Sequence, residues 1–141
     1  MKPVVVDARV AAKWFPPLDR QPLSGQERVL VERWQRGEIK LMAPDFICVE
    51  MANISWKAVP LNRCSRWRNQ RSLFSQPESF TIAAPTLIDS AFHIAIAHGS
   101  TAYDSLYVAL AVASNAEMVT ADEKLANALS AHLAVTWLGA M

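Results

Sequence analysis

Four acidic side chains, Asp7, Glu50, Asp104 and Asp122, sit in or directly beside apolar runs. Asp7 ends Val4-Val5-Val6, and Asp122 follows Met118-Val119-Thr120 by two residues. Glu50 lies within Phe46-Ile47-Cys48-Val49-Glu50-Met51-Ala52, and Asp104 within Ala102-Tyr103-Asp104-Ser105-Leu106-Tyr107. A carboxylate in such surroundings is costly to bury unless it is paired, hydrogen-bonded or bound to a metal. Convergence on one cation resolves that cost. A hard divalent ion such as Mg2+ takes oxygen ligands and keeps several waters, so carboxylates with open positions between them suit phosphate chemistry.

Each acid also has a plainer reading. Asp104 lies three residues after Thr101 and Glu123 three after Thr120, close to the arrangement of a capping box. Asp122 is favourable in the first turn of a helix, and Asp7 at a strand end can cap the helix that follows. Thr86 and Asp89 repeat the box spacing, and Asp89 reads as a cap. Glu50 lacks such an explanation, because it is placed mid-helix on a mostly apolar segment.

The elements that must carry these residues alternate. Residues 4–6 read as a strand and 8–15 as a helix stopped by Pro16-Pro17. Residues 25–36 read as a helix ended by Gly37, 39–43 as a strand, and the stretch from Phe46 to about Val59 as a helix opened by Pro44-Asp45 and closed by Pro60. Residues 63–75 make a polar, basic helical stretch, 80–83 a short strand, and 86–98 and 101–115 two helices. A strand at 118–120, a helix at 122–131 and a strand at 134–138 complete the chain. Strands separated by helices predict a parallel sheet covered on both faces, since parallel neighbours need long crossovers. In such sheets ligands sit beyond the carboxyl ends of the strands, which places Asp7 and Asp122 on the functional edge.

At 141 residues the chain fits a single domain spanning 1–141. Hydrophobic residues make up 52% and charged residues 19%, an apolar bias that leaves surface for a partner. Runs such as 106–113 fall far short of the roughly 20 residues of a membrane span. The opening Met1-Lys2-Pro3-Val4-Val5-Val6-Asp7 lacks the pattern of a secretory signal, so a cytoplasmic location is expected. Cys48 and Cys64 have no paired spacing and read as reduced thiols. Four glycines with no Gly-rich loop argue against a phosphate-cradling nucleotide fold. With a net charge of +1, nucleic-acid binding has to come from local clustering.

At the acid-bearing segments the chain resembles the PIN-domain family, and more narrowly the VapC-type toxins of bacterial toxin-antitoxin pairs. The similar blocks are Val4 through Phe15, Ala43-Pro44-Asp45-Phe46 with Glu50 through Lys57, Thr101 through Ala111, and Met118 through Leu125. Each is loosely similar alone; their order and spacing make the resemblance specific over nearly the whole chain. It implies an α/β, PIN-like three-layer α/β/α fold with a central parallel sheet of about five strands. It further implies an acid quartet of Asp7, Glu50, Asp104 and Asp122 as catalytic and metal-holding residues. Mg2+ or Mn2+ dependence, RNA cleavage by metal-activated water, a homodimer and a cognate antitoxin are expected with them. Thr120 is expected to support the site from behind. The family usually has a small hydroxyl residue two positions after the first acid; here Arg9 stands there, able to pair with Asp7 or to reach a substrate phosphate.

Arg63, Arg66, Arg68 and Arg71 with Trp67 form the one basic, aromatic-bearing cluster, a candidate track for single-stranded RNA against the plainer reading of a solvated helix face. His93, His98 and His132 show no catalytic or metal-ligand spacing. Trp14, Trp34, Trp56 and Trp137 fall on apolar faces and read as core or dimer interface. The principal expectation is a metal-dependent endoribonuclease toxin. The alternative is a catalytically weakened PIN-fold RNA- or protein-binding module in which Arg9 perturbs the metal site.

Overall fold

Three consecutive valines are stiff at χ1 and pack well on a pleated surface, and they occupy the strand at the centre of the sheet. A computed structural model describes residues 2–14, 24–57, 67–68, 72 and 79–141. The strands are β1 (Lys2–Val6), β2 (Ile39–Pro44), β3 (Ser79–Ile82), β4 (Glu117–Thr120) and β5 (Val135–Trp137). They form one sheet in the order β3-β2-β1-β4-β5. All four pairings are parallel, with Val4 beside Leu41 on one side of β1 and Val6 beside Val119 on the other.

Six α-helices connect the described strands: α1 (Ala8–Lys13), α2 (Ser24–Gln35), α3 (Ile47–Trp56), α4 (Ile88–His98), α5 (Ala102–Ala113) and α6 (Glu123–Leu129). Short 3-10 turns cover Ala84–Leu87 and Leu138–Ala140. The architecture is the three-layer α/β/α arrangement expected from the sequence. β1 is buried on both faces at Val4, Val5 and Val6, as a parallel strand covered by helices must be. The core extends from these valines through Leu41, Met118, Ile47 and Met51 to Tyr107 and Leu110 of α5.

Because every strand runs the same way, Val6, Pro44, Ile82, Thr120 and Trp137 end at one edge of the sheet. Asp45 ties part of that edge together. Its backbone N–H donates to the Ile82 carbonyl at 2.8 Å, and its Oδ1 accepts the Ala84 N–H at 2.9 Å. Two helices stop where glycine adopts the left-handed region, at Gly37 (φ 71°) after α2 and Gly99 (φ 68°) after α4.

Some expectations need correction. Thr86 and Asp89 form no capping box: Thr86 lies inside the 3-10 turn, its hydroxyl donates to the Ala83 carbonyl, and α4 begins at Ile88 without a side-chain cap. Pro85 sits in the first turn of that 3-10 segment, where its fixed φ suits helix initiation and moves the start of the winding upstream. The Thr120–Glu123 spacing is likewise not a box, since the cap of α6 is Asp122. Trp14, Trp34 and Trp137 pack partly buried against the core, whereas Trp56 at the end of α3 is 65% exposed, which leaves it only the interface half of the core-or-interface expectation. The end of the third helix at Val59, Pro60 and most of the basic stretch 63–75 lie outside the described residues.

Leu41 is fully buried between β1 and β3. Leu41→Ala is expected to lower unfolding free energy by about 2–5 kcal/mol in urea denaturation, the usual cost of such a cavity.

Candidate active site

Asp7 is the first residue after β1 and the N-cap of α1, with its Oδ1 accepting the Val10 N–H at 2.9 Å. Its Oδ2 accepts the hydroxyl of Thr120, the last residue of the neighbouring strand β4. Thr120 in turn accepts the Asp122 N–H at 3.0 Å, and Asp122 caps α6 by accepting the Leu125 N–H at 3.1 Å. Arg9, in the first turn of α1, donates to Asp122 Oδ2 at 2.8 Å. These bonds close a ring that runs from α1 through Asp7, Thr120 and Asp122 and returns to α1 at Arg9. Arg9 was expected to pair with Asp7 or reach for phosphate; its ion pair is with Asp122.

The other two acids approach from α3 and α5. Glu50 is half-buried, and its Oε1 accepts the Tyr107 hydroxyl at 3.2 Å. Asp104 sits in the first turn of α5, where its N–H donates to the Thr101 hydroxyl oxygen at 3.1 Å. Glu50 and Asp104 line an open cleft of about 490 Å3 together with Arg9, Phe46, Val49, Asn53, Thr101 and Tyr103.

The charges share one field. Burial, at 7% residual exposure, pushes the Asp7 carboxyl above its usual range, and Asp104 pushes the same way. Thr120, the Val10 N–H and Arg9 oppose the rise. Burial also raises Glu50, against the Tyr107 hydrogen bond, with the charges of Asp104 and Asp7 adding to the rise. Asp122 moves the other way: burial resists, but the Leu125 N–H and Arg9 hold its carboxyl below the usual range. The fully buried Tyr107 phenol is pushed far up by burial and by Glu50, so it stays a donor at all ordinary pH values.

The donors are all oxygens, and mutual repulsion among Asp7, Glu50 and Asp104 is what a divalent cation relieves, so the chemistry fits a hard metal ion. Among the described residues, no three acidic, histidine or cysteine side chains lie close enough to form a finished metal cage as they stand. Asp122 is engaged by Arg9, which leaves Asp7, Glu50 and Asp104 as the acids not held by that guanidinium. A partly exposed ion pair contributes roughly 0–1 kcal/mol, so Arg9 is a counter-ion that a phosphate can draw away.

Sequence reasoning missed Tyr107, Asn53 and the ring pair Phe46–Tyr103. A helical-face argument reaches the first two, since Tyr107 lies three residues after Asp104 and Asn53 three after Glu50. Of the basic cluster, Trp67 is partly buried against the core and Arg68 is exposed. Arg63, Arg66 and Arg71 lie outside the described residues.

Solved structures share this fold over nearly the whole chain. PAE2754 from Pyrobaculum aerophilum is 18% identical, with a TM-score of 0.71, covering 99% of this chain and 91% of that one. VapC20 from Mycobacterium tuberculosis, a sarcin-ricin loop cleaving toxin, is 13% identical, with a TM-score of 0.66 over 92% of this chain and 95% of that one. VapBC2 from Rickettsia felis, bound to a DNA fragment from its promoter, matches at 11% identity and a TM-score of 0.65, covering 96% of this chain and 98% of that one. The chain has the PIN-domain fold. The fold that the sequence resemblance implies is thus the fold observed. No protein-family profile matches the chain, and neither does any curated protein.

The raised pKa of Glu50 has a consequence for stability. A group whose folded pKa lies above its unfolded one adds stability at low pH and loses it as pH rises through the folded value. Glu50→Gln, which keeps an acceptor for Tyr107, is therefore expected to melt higher than the parent at neutral pH without metal. Thermal melts in chelator should show that gain shrinking to nothing by about pH 4, near the ordinary glutamate value.

Proposed function

We propose that this PIN-fold protein is a metal-dependent endoribonuclease acting as the toxin of a toxin-antitoxin pair. The observation that carries the reading is the gathering of Asp7, Glu50 and Asp104 at the carboxyl edge of the sheet, where burial first and the neighbouring acids second hold the Asp7 and Glu50 carboxyls high. Asp7, Glu50 and Asp104 would hold Mg2+ or Mn2+, with Asp122 completing the set or orienting water. When bound, the ion supplies a water of lowered pKa and neutralises charge on phosphoryl oxygens.

The chain's own residues do the rest. Thr120 fixes the Asp7 carboxylate by its hydroxyl, and Tyr107 fixes Glu50, so neither acid has to be ordered when substrate arrives. Arg9, with 60% of its side chain exposed, offers a phosphate a charge-assisted hydrogen bond. Arg63, Arg66, Trp67, Arg68 and Arg71 are assigned to RNA or antitoxin contact.

With Mg2+ or Mn2+ present the protein should cleave RNA, and chelator should stop it. Asp104→Asn should lose more than about a hundredfold in rate, beyond the ten- to hundredfold typical of residues that only support a metal ligand. An Asp104→Asn protein as fast as its parent would refute the assignment. The alternative, an RNA- or protein-binding module, is favoured by the Arg9–Asp122 pair, and RNA binding without metal-stimulated cleavage would select it.

The antitoxin and homodimer readings rest on exposed apolar surface. Ile88, Phe92 and Ile96 repeat every fourth residue along α4 and are 54%, 56% and 68% exposed. A stripe of this kind on a helix that otherwise packs on α5 suits a second copy of the chain. Phe92→Glu is expected to convert a dimer to a monomer in light-scattering chromatography, with the melting curve of the monomer still cooperative. Among the described residues, no helix is long and apolar enough to cross a membrane. A cytoplasmic site of action goes with the RNA target.

A further inference from the structure

One wall of the cleft is aromatic and plays no part in holding the acids. Phe46, at the start of α3, and Tyr103, in the first turn of α5, stack with ring centroids 5.3 Å apart and an interplanar angle of 13°. The pair is asymmetric: Phe46 is half-buried and packs on the core, whereas Tyr103 is 62% exposed. Phe46 thus fixes the plane of a ring that is largely open to water, next to Asp104 in the chain and lining the same cleft as Arg9.

A rigid, exposed aromatic face gains most from a flat partner of similar size. A base of single-stranded RNA supplies one, because unpaired bases splay out and every base has a face to stack. Its phosphate would lie toward the Arg9 guanidinium, and Asn53, also lining the cleft, carries an amide that can meet a base edge. An apolar protein anchor would instead desolvate Glu50, Asp104 and Arg9 without offering charge to match them.

We propose that Tyr103, held in plane by Phe46, is the stacking platform for a nucleobase next to the cleaved phosphate. The proposal rests on the ribonuclease reading. It makes Tyr103 a substrate-binding residue and explains an exposed ring at this position, with sequence-tolerant base contact as its consequence.

The test is steady-state cleavage of single-stranded RNA oligonucleotides in Mn2+ by the full chain. Tyr103→Ala should raise KM about tenfold with little change in kcat, the size expected for one lost base stack, and Tyr103→Phe should restore the parent value. An oligonucleotide with one abasic position beside the cleavage site should weaken the parent by the same factor and leave Tyr103→Ala unaffected. Because Tyr103 is exposed, the melting temperature should stay put in both variants. Unchanged KM in Tyr103→Ala, with a parent that cleaves, would overturn the platform alone. A parent that neither binds nor cleaves RNA would remove the ribonuclease reading and the platform with it.

Discussion

A carboxylate buried at the end of the central strand sets the terms for the rest of the molecule. Asp7 has almost no contact with water, and leaving its charge unmatched there would be strongly unfavourable. It is stabilised by donors from two directions: the Val10 N–H of its own helix and the Thr120 hydroxyl of the adjacent strand. Both donors are available only if β1 and β4 end level with each other and α1 starts at once. The register that places Val6 beside Val119 and the abrupt strand-to-helix turn at Asp7 therefore support each other.

From that point the geometry propagates. The Thr120 hydroxyl donates a hydrogen bond to Asp7 and accepts one from the Asp122 N–H, so a single hydroxyl relates two helix caps that follow neighbouring strands. Caps are an economical way to hold functional carboxylates. A cap uses one lone pair of an oxygen that has two, and it satisfies a backbone N–H that the helix would otherwise leave open. Asp7 and Asp122 do structural work and still present free lone pairs. The capping reading and the functional reading of these acids are thus not rivals, although their spacing in the sequence made them look so.

The sequence carried the architecture because its signals were local. Val4-Val5-Val6, Gly37, Gly99 and the Thr101 cap each act within a few residues, and the strands and helices they bound fall within a few positions of where the pattern put them. The failures came where an immediate neighbour overrode the pattern or where position depended on a partner distant in the chain. Thr86 has the spacing of a cap, but Pro85 had already started the turn. Arg9 is one residue from Val10 and two from Asp7, yet its carboxylate partner lies 113 positions away and becomes adjacent only through the pairing of β1 with β4. Tyr107 is invisible as a partner for Glu50 for the same reason, since α3 and α5 meet only in the folded chain.

Arg9 also decides how the charges are divided. Its guanidinium takes Asp122, the most accessible end of the ring, and holds that carboxyl low, while Asp7 and Glu50 are left with raised carboxyls facing Asp104. An arginine deep in the cleft and paired with Asp7 would have neutralised the acid that is most expensive to keep charged. Placed at the rim and paired with Asp122, it lowers the Asp7 and Glu50 carboxyls through its charge without bringing either back to its usual range. The protein is thereby left less stable at neutral pH than an uncharged version of the same cleft would be. That cost, burial of the carboxylates first and their mutual repulsion second, is the free energy on which a bound cation can act.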